Sequence, residues 1–274
     1  METFKIELKR AMTGIGMVIA LCVGLGCVCY KHYSVYERIQ HSAELAAQYN
    51  IHIYQEFAKI TFYEYWMPCA MEVGTLYMFY FMGLIAALPF GISYYRDKKS
   101  GVMKNICIRS GKKKYLLSKY AATYVSGGLA VVIPLIVDLL IAKIWVPIDF
   151  VRITGTRLGA RMEWEVFVVD HIYLAAVIII LTWFLFGGAL ATISLMVTSV
   201  ADNFFTIQLT PFFVMLVLFY LPTFLPAKYN IYFPFFFLTF FSRSNPVIAV
   251  MVSMALTLLT FTIFMKTELK KDIL

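Results

Sequence analysis

The chain has 274 residues, 61% of them hydrophobic and only 15% charged, with a mean hydropathy of +0.77 and a net charge of +8. Ordinary soluble domains are about 45–50% apolar, so a soluble enzyme or binding module of the usual kind is excluded. The apolar residues come in blocks of about twenty, the length a helix needs to cross roughly 30 Å of hydrocarbon, and they lack the alternation of barrel strands. An all-α membrane protein forming a single transmembrane domain over residues 1–274 is predicted, with six spans near residues 11–30, 74–94, 120–141, 172–198, 204–225 and 246–265.

In chain order, METFKIELKR sets Phe4, Ile6 and Leu8 among charges, which suits an amphipathic N-terminal helix at the membrane interface. The apolar run behind Lys5, Lys9 and Arg10 lacks a small-x-small exit, so it reads as a retained first span rather than a cleaved leader. Gly16, Ala20 and Gly24 recur every four residues along it, a stripe of small side chains that lets another helix approach closely. Gly187 and Ala191 make a shorter stripe in the fourth span. Cys22, Cys27 and Cys29 lie in the first span, and Cys29 with Cys69 could pair on the outer side. The outer segment 31–73 mixes aromatic and polar residues and is expected to hold helix lying on the bilayer face, with Trp66 at head-group level.

Between the second and third spans lies YYRDKKSGVMKNICIRSGKKKYLLSKY, which gathers nine Lys or Arg against a single Asp. Placing this loop and both termini inside puts 15 of the 24 Lys and Arg residues in the inner segments, as the positive-inside rule demands. Within it Val102, Met103, Ile106 and Cys107 fall at helical spacings and form one apolar face, bounded by Gly101 and by Ser110-Gly111. A short helix of this kind lies on lipid or docks in a partner's groove.

Outer segment 142–171 shows no ligand constellation. In the stretch 226–245, the greasy run 231–241 is too short to cross, and with Pro222 just before it, Pro226 and Pro234 break the region. A re-entrant outer hairpin ending at Asn245-Pro246 is expected there. Phe79, Tyr80, Phe81, Phe212 and Phe213 are candidate linings of an uncharged transport path. Asp138 is the one acid well inside an apolar run, and it could serve transport or pair with Lys143.

No catalytic or metal-binding signature is present. The position five residues before Gly111-Lys112 is Ile106 where a nucleotide-binding loop needs Gly, and the four histidines are scattered. The basic loop flanks spans and faces lipid, so nucleic acid is not expected as a partner.

The order of these features resembles the permeases of ABC transporters of the type-2 exporter class. The resemblance rests on Asp97-x-x-x-Gly101 followed by Val102, Met103 and Ile106, then Arg109-Ser110 and Tyr115-x-x-x-Lys119. It continues in the polar turn with Ser199 and Asn203, and in the hairpin closing on Asn245-Pro246. Arg109-Ser110-Gly111 departs from the Pro-containing turn of many members. The resemblance implies a subunit without cofactor of its own, pairing with a second permease as a homodimer or heterodimer, in a bacterial cytoplasmic membrane. A separate ATPase would bind ATP and Mg²⁺. Residues 101–108, with Asp97 before them, would couple to that ATPase. The small-residue stripe would pack against the second permease, and the cargo would be amphipathic or hydrophobic, such as an exported peptide. Two other readings are a membrane sensor or immunity protein without transport, and an ion-coupled transporter using Asp138.

Overall fold

A computed structural model describes residues 2–49, 65–66, 73–145, 167, 171–239 and 245–271. Among these residues the structure is helical, with no strand. The helices are α1 (Glu2–Met12), α2 (Ile15–Tyr49), α3 (Val73–Ala87), α4 (Ser93–Lys99), α5 (Val102–Ser110), α6 (Lys112–Trp145), α7 (Ile172–Val197), α8 (Phe204–Tyr220), α9 (Pro234–Leu238) and α10 (Pro246–Lys270). Two 3-10 turns, Leu221–Phe224 and Ala227–Tyr232, lead from α8 to α9.

Among the described residues, five helical stretches are long and apolar enough to cross a membrane: Ile15–His41, Lys112–Trp145, Tyr173–Val197, Phe204–Phe224 and Pro246–Lys270. Such a set is what a multi-pass membrane protein carries. Its helices keep large apolar side chains such as Val18, Leu181, Phe213, Val217, Leu258 and Leu259 exposed, a surface that water would not tolerate at this extent.

Two expected elements differ. The first span continues without a break to Tyr49, about 52 Å in all at 1.5 Å per residue. Residues 31–49 therefore rise out of the bundle along the same axis instead of lying across its face. They contain no Gly or Pro to end the hydrogen-bond ladder. The second span is interrupted: α3 stops at Ala87, and tight turns over Leu88–Ile92 precede α4. Pro89 lacks an amide to continue the ladder, and Gly91 packs where a side chain would meet Ala87 O and Ser194.

The core lies where α7 packs against α6 and α10, and α3 against α2 and α8. Phe79, Trp183, Phe186, Leu190, Met215 and Phe237 are fully buried there. Trp183 Nε1 donates to Leu238 O at 3.1 Å, tying α9 to α7. Asn245 caps α10 by accepting from Val247 N at 2.9 Å, with Pro246 in the first turn.

Candidate functional site

Among the described residues, most of the charged side chains lie at the α5 end of the bundle. Glycine sets its geometry: Gly101 (φ 74°) precedes α5 and Gly111 (φ 82°) follows it, backbone states that other residues adopt only with strain. These two corners lay α5 as a short arm between α4 and α6. The arm occupies Val102–Ser110, where the sequence placed its amphipathic helix.

Beside the arm a buried ionic hub joins three helices. From α4, the Asp97 carboxylate accepts from Arg10 Nη2 at 2.9 Å, Lys119 Nζ at 2.6 Å and Tyr115 Oη at 2.8 Å. From α1, Glu7 accepts from Lys119 Nζ at 2.8 Å and from Arg10 Nη1 at 3.1 Å. Lys119 also stands 4.4 Å from the centre of the Phe90 ring, close enough for cation–π attraction. Two carboxylates face two cations, so the hub is neutral although Glu7, Asp97 and Lys119 are buried. Burial alone would push the Asp97 carboxyl up; Arg10, Lys119 and Tyr115 together outweigh it and hold the group below the usual carboxylate range.

A second set of bonds brings in α10. Tyr94 Oη donates to Glu268 Oε2 at 2.6 Å, and Lys271 Nζ bonds Glu268 at 2.7 Å and Ser199 O at 2.8 Å. Lys112 Nζ donates to Leu269 O at 3.3 Å and also to Lys271 O. The turn between α7 and α8 is held by Thr267 Oγ1 donating to Ser199 Oγ at 2.9 Å.

The apolar face of α5 is where expectation and structure part. Met103 and Cys107 are buried and Ile106 half-buried, all packed against this chain's own Tyr94, Tyr115, Leu116 and Phe264. Burial pushes the Cys107 thiol up, with Lys112 opposing more weakly, so it stays protonated. That face cannot enter a partner's groove without leaving its own core. Of the four residues assigned to it only Val102 is exposed (41%), and Ile108 (82%) stands out with Lys104, Asn105 and Arg109. An amphipathic pattern reveals that a face is covered, not by what.

The small-residue stripe is likewise used within the chain. A Cβ on Gly16 would lie 2.1 Å from Leu88 O, and one on Gly24 would lie 2.5 Å from the Pro134 ring. Ala20 between them is fully buried. The stripe seats α2 against the turn after α3 and against α6 within this chain.

At the opposite end, Asp138 is fully buried and bonds Lys31 Nζ at 2.5 Å; Lys31 also donates to Tyr65 O at 2.5 Å. His32 Nε2 lies 2.9 Å from the same carboxylate oxygen, outside hydrogen-bond geometry, while its Nδ1 meets Tyr65 Oη at 2.9 Å. The expected partner Lys143 instead stands 5.8 Å from the Tyr173 ring centre. Residues five apart on a helix point about 140° away from each other, so Lys143 turns away from Asp138 while Lys31 on α2 faces it.

The aromatic candidates split. Phe79 is fully buried against Trp183, Phe219 and Phe235. Tyr80 pairs with Tyr220 and Phe81 stacks on Phe212, with Phe213 exposed alongside. In the segment expected to form an outer hairpin, Pro222 and Pro234 are buried and Pro226 precedes the second 3-10 turn. Residues 240–244, Cys69 and most of 142–171 lie outside the described residues; Cys29 is exposed. Among the described residues no three His, Cys, Asp or Glu gather as a metal site. No protein-family model, curated protein or solved structure matches this chain.

Proposed function

We propose that this chain is the permease subunit of an ATP-driven exporter of the ABC type-2 class, crossing a bacterial cytoplasmic membrane six times with both termini inside. The sixth crossing would be α3, which at 15 residues covers about 22 Å and needs the turns at its ends to complete the passage. A separate ATPase would bind ATP and Mg²⁺, and a second permease would complete the pore. The hairpin between α8 and α10 would dip back into the outer leaflet. Exposed rings at Phe81 and Phe213, with half-buried Tyr80 and Phe212 beside them, suit an amphipathic or hydrophobic cargo such as a peptide.

One observation carries the reading. A nine-residue helix is cornered by two positive-φ glycines and fastened on one face to α4, α6 and α10, while its other face offers Val102 and Ile108 among Lys104 and Arg109. A rigid arm with a small apolar tip and a basic rim is the form of an element that transmits force from a motor with an acidic-edged groove. ATP can drive such an arm only by favouring one state of the motor over the other.

The test is co-purification of a Walker-motif ATPase with the chain. Val102→Asp with Ile108→Asp is expected to abolish capture while leaving thermal unfolding unchanged, since both side chains are exposed. Capture that survives this double substitution removes the coupling role. Labelling of Ile108→Cys by a membrane-impermeant thiol reagent from outside intact cells refutes the orientation.

A further inference from the structure

A cavity of about 420 Å³ opens at the α5 end between the α1–α2 junction, the Leu88–Ile92 turn and the first turns of α8. Ligand sites of roughly this size, with apolar walls and a few convergent polar groups, are the common form. Its walls divide by chemistry. Ile15, Ile19, Phe204 and Phe205 are exposed apolar side chains, continuous with the outer surfaces of α2 and α8. Arg10, Arg96, Ser93 and Gln208 supply the polar part.

The two arginines are not equivalent. Arg10 is matched by Asp97 and Glu7 within the neutral hub. Arg96 is exposed and makes no ion pair among the described residues, so the cavity carries an uncompensated positive charge. Gln208 is 7% exposed, yet neither its Nε2 nor its Oε1 has a hydrogen-bond partner, an arrangement that costs free energy unless a ligand or water meets it. The 17-residue helix α8 points its N-terminus here. Asn203 Oδ1 accepts only the Phe205 amide, and a helix N-terminus favours negative charge. The opposing group is Asp202, itself 3.8 Å from Lys98 and turned to solvent.

We infer that this cavity holds the headgroup of an anionic phospholipid, its phosphate on Arg96 and the α8 N-terminus and its first methylenes against Ile15, Ile19 and Phe205. A soluble anion would gain nothing from those apolar walls, whereas a lipid satisfies both kinds at once. The inference rests on residence in a bilayer and not on the exporter reading.

The test is native mass spectrometry of the purified full-length chain with added phosphatidylglycerol, phosphatidylcholine or inorganic phosphate. Phosphatidylglycerol is expected to be retained preferentially, and Arg96→Gln to weaken retention roughly tenfold, in keeping with a lost charge-assisted bond. Ile19→Trp, which fills the cavity from its apolar side, should weaken it as well, while Lys114→Gln at the same end should not. Unchanged thermal unfolding of Arg96→Gln secures the comparison. Retention by Arg96→Gln and Ile19→Trp at the unsubstituted level overturns the assignment, as does displacement of lipid by an equal concentration of inorganic phosphate. Cross-linking from Phe205→Cys that captures a second copy of the chain instead of lipid overturns it too.

Discussion

Replacing Lys119 by Met tests the hub most sharply, because Met keeps the stem's volume and removes only the ammonium. Two buried carboxylates, Glu7 and Asp97, would then share Arg10 alone. Leaving a buried charge uncompensated costs about 3–5 kcal/mol. The chain has one escape, which is to protonate a carboxylate. For an ordinary glutamate of pKa about 4.3, that costs about 3.7 kcal/mol at pH 7, so the penalty is capped near this value. The cap falls as pH falls, to about 1 kcal/mol at pH 5. Destabilisation by Lys119→Met should therefore be about 3–4 kcal/mol at pH 7 and shrink below about 1 kcal/mol near pH 5. Adding Glu7→Gln restores a one-to-one pairing of Arg10 with Asp97 and should recover most of the loss. Equilibrium unfolding in bicelles at the two pH values, with the double-mutant cycle, reads this directly. A penalty that is the same at both pH values, or two substitutions whose costs simply add, would refute the buried-charge account.

Other consequences are as specific. The Asp97 carboxyl is held below its ordinary range, so its contribution to stability is full above the unfolded value near 3.8 and is lost as pH falls through the lower folded value; Asp97→Asn should flatten the acid limb of an unfolding-versus-pH curve. Asp138→Asn removes the carboxylate that faces the fully buried Lys31 and should lower stability, with part of the loss recovered by Lys31→Met in the same chain; transport lost while stability is kept would instead favour ion coupling. Gly16→Ala forces a methyl to 2.1 Å from Leu88 O and should cost about 1–3 kcal/mol by overpacking, whereas Gly26→Ala, with nothing within 4 Å, should be neutral or stabilising by thermal shift.

The long helices were readable because a bilayer leaves the backbone no other choice, so twenty apolar residues in a row carry the answer by themselves. The arm's limits were readable for a similar local reason: Gly101 and Gly111 stand where the backbone turns to positive φ. The hub was not. Its bonds join Arg10 to Asp97 and Glu7 to Lys119, separated by 87 and 112 residues, and no spacing rule reaches across such intervals. Glu7 lies in an amphipathic helix, where a carboxylate reads as a solvated group until the helix is packed. Asp138 drew its expected partner from sequence proximity, and helix geometry turned Lys143 away. The small stripe showed that α2 would be approached closely, but whether by its own chain or by another is decided only by packing.

These attachments decide what a push on α5 can move. Its apolar face is locked among residues of α4, α6 and α10, and the hub adds α1, so at this end the arm cannot tilt alone without breaking buried contacts. On the exporter reading, force from an ATPase would shift these elements as one body. The first turn of α8 is joined to it more loosely: beyond the Thr267 and Lys271 bonds to Ser199 in the preceding turn, its polar links here are the Tyr95 Oη to Asp202 O bond at 3.2 Å and the 3.8 Å contact of Lys98 with Asp202, both exposed. Exposed contacts of this kind contribute about 0–1 kcal/mol, far less than the hub. Relative motion at this end therefore concentrates between the body and α8, where the cavity opens. A lipid seated there would bridge the seam, and substitutions at Arg96 should alter how readily ATP drives transport even though Arg96 touches neither the arm's exposed tip nor the aromatic face. Equal ATP dependence of transport in Arg96→Gln and the unsubstituted chain would show that the seam does not move.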